Sequence, residues 1–236
     1  MAAMKMTCVA LAGVLAVSAC GRSDREAQST EPPPPAADPY PSEPVNVDLW
    51  LERLEVGSRE LYSARANVVA GLTLRPGARV ADIGAGTGVY SLLFAEKVGP
   101  EGVVYAVDIE PRFLTLINQR ADDLALSNVV SVLGRDDSIT LPPGSVDVVF
   151  ICDTYHYIDD PAALLKTAFA ALRSGGALYI VDYDLKEGVT PPPDKRQVHA
   201  GKESVAEAVE AVGFGEAETV EVAGLSENYM LRFVKP

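Results

Sequence analysis

Apolar residues fall along this 236-residue chain in two alternating patterns. Short, nearly unbroken apolar runs occur at Arg79–Ile83, Gly102–Val107, Val129–Leu133, Val146–Cys152 and Ala177–Val181. Runs of this kind predict strands covered on both faces. Between them lie longer stretches in which apolar residues recur every three or four positions. These predict helices over Val89–Val98, Pro111–Leu126, Pro161–Leu172 and Ser204–Val212, with Pro at the first turn of two of them, where a missing N–H costs nothing. Ahead of the first strand, Leu49, Trp50, Leu54, Leu61, Val68 and Val69 give Val47–Leu72 one or two helices, broken at Gly57-Ser58. Behind the last helix, Val220–Val222 and Tyr229–Val234 read as a closing strand pair. Strands alternating with helices imply an α/β domain with a mainly parallel sheet and helices on both faces.

The first strand runs directly into Asp82-x-Gly84-x-Gly86-x-Gly88, with Ala85 and Thr87 between the glycines, and a helix follows. Glycine admits positive φ and close approach of a ligand to the backbone, and the helix start offers unpaired N–H groups. Val89 stands where a dinucleotide fingerprint needs Gly or Ala, and no Lys follows as in a P-loop. An acid two residues before the first glycine suits an amine-bearing cation better than a pyrophosphate. The stretch resembles the first motif of class I S-adenosylmethionine-dependent methyltransferases. The resemblance covers about Val47–Pro236 and implies a Rossmann-like fold, with a seven-stranded, mainly parallel sheet and an antiparallel C-terminal strand.

Ligands of such sheets sit beyond the carboxyl ends of the strands. After strand two comes Asp108, placed to accept both hydroxyls of a ribose, with Ile109 beside it. After strand three, Asp136 or Asp137 is similar to the family's third acidic position, which reads the adenine amino group; the spacing back from Leu141-Pro142 favours Asp137. The segment Cys152-Asp153-Thr154-Tyr155-His156-Tyr157 follows strand four, and by the resemblance that loop faces the transferred methyl group. Asp153, Tyr155 and His156 are therefore the catalytic candidates, Asp153 also a cofactor contact, and Tyr157 a substrate contact. Imidazole is the side chain best suited to proton transfer near neutral pH. Cys152 reads as a small buried residue rather than a nucleophile. In the leading helices, Tyr62 and Arg65 lie three apart on one face, and the resemblance places Tyr62 over the cofactor. The polar, Pro-rich stretch 189–201 is long enough to act as a substrate-selecting lid and carries His199.

Within the family, the segments Arg59-Glu60-x-Tyr62, Asp153-Thr154-Tyr155-His156, His199-Ala200-Gly201-Lys202 and Glu227-Asn228-Tyr229 resemble a branch of ubiquinone/menaquinone-type and small-molecule methyltransferases that bear export leaders. No cysteine set like that of arsenite methyltransferases is present in the sequence.

Composition bounds the partners. A 48% hydrophobic chain can bury a sizeable core, and a net charge of -13 argues against a nucleic-acid partner. The first 19 residues read as a signal peptide: Lys5, then an apolar Cys8–Val17 too short to span a bilayer, then Val17-Ser18-Ala19-Cys20, which resembles a lipoprotein box despite Val in place of Leu. Cys20 is the expected lipidation site, and residues 20–44, with Pro32–Pro35, read as a tether. The methyltransferase-type domain is expected over 45–236. Only Cys152 remains beyond the leader and Cys20, so no disulfide framework is expected and no metal is called for. The implied chemistry is methyl transfer from S-adenosylmethionine to a small or lipid-like acceptor, on a membrane-anchored exported protein, on the outer membrane if the source is Gram-negative. A non-catalytic binding lipoprotein and a protein methyltransferase are the alternatives.

Overall fold

A computed structural model describes residues 45–186, 198 and 200–236. A leading helical segment comprises α1 (Val47–Leu54), α2 (Glu60–Ser63) and α3 (Arg65–Gly71). The alternating part runs β1 (Arg79–Ile83), α4 (Val89–Val98), β2 (Val103–Asp108), α5 (Pro111–Asp123), β3 (Val129–Leu133), β4 (Val146–Cys152), α6 (Pro161–Ala171) and β5 (Leu172–Tyr183). It closes with α7 (Lys202–Val212), β6 (Glu218–Thr219) and β7 (Asn228–Val234). The seven strands form one sheet in the order β3-β2-β1-β4-β5-β7-β6, parallel up to β5 and antiparallel at β7 and β6. This is the expected Rossmann-like architecture. The order reverses between β1 and β4, and a sheet of this kind opens its ligand crevice at that point.

Period-two alternation in the strands supplies two cores. Ala81, Ile83, Val149, Ile151 and Ile180 face α6 and α7, packing with Leu165 and Val209. Val80, Val104, Phe150, Tyr179 and Val181 face the other way, against Val68 of α3 and Phe94 of α4. Asp82 lies between Ala81 and Ile83 and so points to the α4 side, where an ordinary strand would place an apolar residue. Asn46 caps α1, its side chain accepting from the N–H groups of Asp48 (3.1 Å) and Leu49 (3.2 Å). A cap of this type contributes about 1 kcal/mol.

Four boundaries differ from the sequence expectations. The leading segment breaks at Ala64 as well as at Gly57-Ser58, because Arg65 folds back to donate to the Tyr62 carbonyl at 2.6 Å. Pairing of β5 starts at Leu172 rather than Ala177. Val146 pairs with Leu172 and Val148 with Ala177, so residues 173–176 form a bulge, with Gly175 at φ +75. That bulge is tied to the C-terminus through Gly175 N–H to Lys235 O (2.8 Å) and Lys235 N–H to Gly176 O (2.9 Å). Helix α5 stops at Asp123, three residues short of the expected Leu126. Edge strand β6 is Glu218–Thr219, with Val220 contributing a single further bond to Met230 O (2.8 Å).

Candidate active site

The carboxyl ends of β1 and β2 build the site's floor. Gly84, Gly86 and Gly88 all take positive φ (+68, +54, +85), and the N–H groups of Gly84 and Ala85 bond the Val107 carbonyl. Gly84 admits no side chain: a Cβ there would lie 2.3–2.9 Å from atoms of Thr154. The turn is thus pressed against the loop after β4. A cleft opens above it, about 930 Å³ counted out to its mouth.

Two carboxylates stand at this floor, each 3% exposed. Asp108 accepts from Gly86 N–H at 2.8 Å through Oδ2 and from Glu110 N–H at 2.9 Å through Oδ1. Burial pushes its carboxyl above the usual range, and those backbone donors pull the other way. Asp82 accepts from Ser91 Oγ at 2.6 Å. Burial, opposed by Ser91 and reinforced by the charge of Asp108, pushes Asp82 up to about 7. An ionised Asp82 is therefore short of positive charge, the condition that an ammonium group in the cleft would satisfy. Asp108, held by backbone on both oxygens, presents an acceptor to hydroxyl donors. This donor set fits S-adenosylmethionine, which offers an ammonium and a ribose.

The leading segment forms the wall opposite the floor. Leu54, Arg59 and Tyr62 line the cleft. Tyr62 carries Arg65 over its ring at 4.1 Å, although the break at Ala64 puts the two in separate helices rather than on one helical face. Tyr90 of α4 donates to the Leu61 carbonyl at 2.7 Å, and Trp50 meets Phe113 edge-on at 6.0 Å between centroids. Arg120 of α5 pairs with Glu55 and donates to the Thr87 carbonyl at 2.8 Å, linking the end of α1 to the glycine turn.

The loop after β4 splits the sequence candidates. Asp153 and Tyr157 line the cleft. Tyr155 and His156 are not among the lining residues. Tyr155 is buried, and burial raises its phenol. The imidazole of His156 lies behind the ring of Tyr157 (4.1 Å between centroids) and bonds Asp182 Oδ1 at 2.7 Å through Nδ1. His156 is placed in a buried dyad rather than at the cleft surface, because a one-turn 3-10 helix, Tyr155–Tyr157, turns it towards β5. Cys152 lines the cleft as a thiol that burial raises well above its usual range, in keeping with an inert residue.

Thr87, Ala85, Gly84 and Gly86 line the cleft. Gly88 lies one step beyond, as the residue before α4. Ile109, Asp136 and Asp137 are not among the lining residues; both acids are exposed, and Asp137 lies 3.8 Å from Arg135. A tight bridge between Arg135 and Ser138 turns that loop outward. His199 and Cys20 lie outside the described residues.

Sequence reasoning did not find the partners. Arg59 donates to Asp153 at 2.6 Å, and Glu60 accepts from the N–H groups of Ser226 and Glu227 (2.9 Å for the latter). Two of the four branch-like segments therefore meet at the cleft, and a third, Glu227-Asn228-Tyr229, is tied to the first through Glu60. The available signal was the adjacent Arg59-Glu60 pair in the leading helical stretch and Asp182 at the end of an apolar strand. Neither shows from sequence which residue it faces.

A methyltransferase-domain family model matches residues 74–230. The chain is 28% identical over 111 residues to a demethylmenaquinone methyltransferase of Listeria welshimeri, covering 47% of each chain. It is 29% identical over 144 residues to a ubiquinone/menaquinone biosynthesis C-methyltransferase of Stenotrophomonas maltophilia, covering 58% of this chain and 54% of the relative. The matched stretch thus spans about half the length of these curated relatives. Among solved structures, a SAM-dependent methyltransferase from Aquifex aeolicus superposes with a TM-score of 0.69 at 24% identity, covering 81% of this chain and 100% of that one. A Haemonchus contortus phosphoethanolamine N-methyltransferase in complex with S-adenosyl-L-methionine superposes at 0.63 and 18%, covering 84% and 61%. At these identities the superpositions show the shared fold.

Proposed function

The chain belongs to the methyltransferase-domain family, and from that premise we propose that it transfers a methyl group from S-adenosylmethionine to a small, lipid-like acceptor. One observation carries the reading: Asp82 and Asp108, both buried, flank a positive-φ glycine turn at the switch point of the sheet. An unliganded fold has little reason to desolvate two acids there.

When bound, S-adenosylmethionine supplies a methyl carbon made electrophilic by the adjoining sulfonium. Asp82 holds the ammonium group and Asp108 the ribose hydroxyls. Leu54 and Tyr62 close the opposite side and exclude water. Asp153 and Tyr157 stand where the acceptor enters. For an acceptor that must shed a proton, Asp153 is the carboxylate on the wall. Alignment of the acceptor's lone pair or electron-rich carbon behind the methyl supplies most of the acceleration. The quinone-ring acceptors named for the curated relatives support an aromatic, lipid-soluble acceptor class.

The same reading takes the leader as a lipoprotein signal, with Cys20 lipidated and the Pro-rich 20–44 stretch holding the domain at a membrane face, where a lipid-like acceptor resides. Among the described residues no helix is long and apolar enough to cross a membrane.

Methyl-labelled cofactor incubated with the protein and a membrane lipid extract tests the reading. Label in the solvent-extractable fraction, lost in Asp108→Ala, is the expected result. Label on protein bands instead would move the acceptor to a polypeptide. No transfer to any fraction by cofactor-bound protein would leave a binding protein.

A further inference from the structure

Among the described residues, the side chains lining the cleft include three carboxylates, Asp82, Asp108 and Asp153, and one cation, Arg59. Arg59 stands just ahead of α2 and keeps 22% exposure in its side chain. Its Nη2 donates to Asp153 Oδ2 at 2.6 Å and its Nη1 to the Leu54 carbonyl at 3.3 Å. A guanidinium carries five N–H donors in a flat fork, so these two contacts leave others to meet a ligand. Asp82 lies within electrostatic reach of the same place. Burial raises the Cys152 thiol and the Tyr90 phenol, and both also feel Arg59, which lowers them, and Asp82, which raises them further.

S-adenosylmethionine ends in an amino acid, so an α-carboxylate shares a carbon with the ammonium that Asp82 receives. A carboxylate drawn into a cleft needs a cation or several N–H donors. The glycine turn has few left to give. The N–H groups of Gly84 and Ala85 go to the Val107 carbonyl, that of Gly86 to Asp108 and that of Gly88 to the Ala85 carbonyl. Hydroxyls beside the turn are spent too: Ser91 on Asp82, Tyr90 on the Leu61 carbonyl and Thr154 on the Cys152 carbonyl. The charged groups on the lining are otherwise acids, which repel a carboxylate.

Resting on the cofactor reading above, we propose that Arg59 binds the α-carboxylate of S-adenosylmethionine, so that Asp82 and Arg59 hold the two charged groups of its amino acid. Asp153 keeps its bond to one side of the guanidinium fork and the cofactor carboxylate takes another. Arg59 thereby joins the cofactor to the acceptor wall. The pair also sets a selection, because an adenosine that carries only an amine satisfies Asp82 and leaves Arg59 unused.

The test is calorimetric titration of the full chain with S-adenosylhomocysteine and with its decarboxylated analogue, which keeps the sulfur, ammonium, ribose and base. Titrations run above the Asp82 pKa of about 7, where that carboxylate is ionised. The wild type is expected to prefer S-adenosylhomocysteine by about tenfold or more, the usual worth of a charge-assisted contact. Arg59→Met is expected to lose that preference by weakening S-adenosylhomocysteine alone, and Arg59→Lys to keep part of it. Should Arg59→Met fail to fold, Arg59→Met/Asp153→Asn, which leaves no lone charge, decides in its place. Equal affinity of the wild type for both ligands, or equal weakening of both by Arg59→Met, overturns the assignment and leaves the cofactor reading standing. Binding of neither ligand to folded wild type overturns both.

Discussion

Arg59 Nη2 donates to Asp153 Oδ2 at 2.6 Å, joining the segment ahead of the sheet to the loop after β4. Burial is the largest influence and alone would lower the guanidinium's pKa, but the charge and hydrogen bond of Asp153, together with the nearby Cys152 and Tyr90, raise it above the ordinary value. Asp153 also holds φ +50, a left-handed conformation unusual for a residue other than glycine. The pair therefore locks a strained loop against the wall of the cleft.

Arg59→Met is expected to lower stability by about 1–3 kcal/mol, less than a fully buried pair would cost because both side chains keep some exposure (22% and 13%). Arg59→Met/Asp153→Asn should recover part of that loss, since no lone charge remains. Urea unfolding of the double-mutant cycle measures it, and additive single effects would deny the coupling.

Two glycines of the same turn should respond differently. A Cβ at Gly84 meets Thr154 atoms at 2.3–2.9 Å, whereas one at Gly86 first meets Leu54 Cδ1 at 3.6 Å. Gly84→Ala is expected to cost several kcal/mol, combining overpacking with positive-φ strain. Gly86→Ala carries only the strain, about 1–2 kcal/mol, and should fold. Thermal melts of both variants check the order, and equal destabilisation would contradict the contact.

Asp82 makes stability and binding move oppositely with pH. Its folded pKa of about 7 lies above the ordinary carboxylate value. Between about pH 4 and 7 the native state therefore holds a proton that the unfolded chain has released, and stability falls as pH rises through that window. The full effect is on the order of 4 kcal/mol, and Asp82→Asn should flatten it. Cofactor affinity should run the other way. The ammonium selects ionised Asp82, so binding is expected to weaken as pH falls below about 7, by up to about tenfold per unit. Unfolding and binding titrations between pH 5 and 8 read both slopes.

Much of this was legible from sequence because the signals are local. Asp82, the glycines and Asp108 follow directly from strand ends, and strand ends follow from the apolar runs. The third acid was not legible in the same way. Asp136 and Asp137 occupy the expected interval, but the Arg135–Ser138 bridge turns their loop outward, and that turn depends on backbone pairing that composition does not encode. His156 was singled out for its chemistry, yet its position behind Tyr157 depends on Asp182, 26 residues on and brought near only by β4–β5 pairing. The 173–176 bulge was missed for a similar reason: Ser174-Gly175-Gly176 looks like a stop, and the Lys235 backbone ties it into the strand.

Calorimetric titration of the full chain with S-adenosylmethionine and S-adenosylhomocysteine, alongside Asp108→Ala, tests the central claim most directly. The account expects one site per chain in the micromolar range, about −8 kcal/mol, with binding abolished in the variant while its melt stays cooperative. A folded wild type that takes up neither ligand would contradict it, since Asp82 and Asp108 would then be buried at the glycine turn for some other purpose.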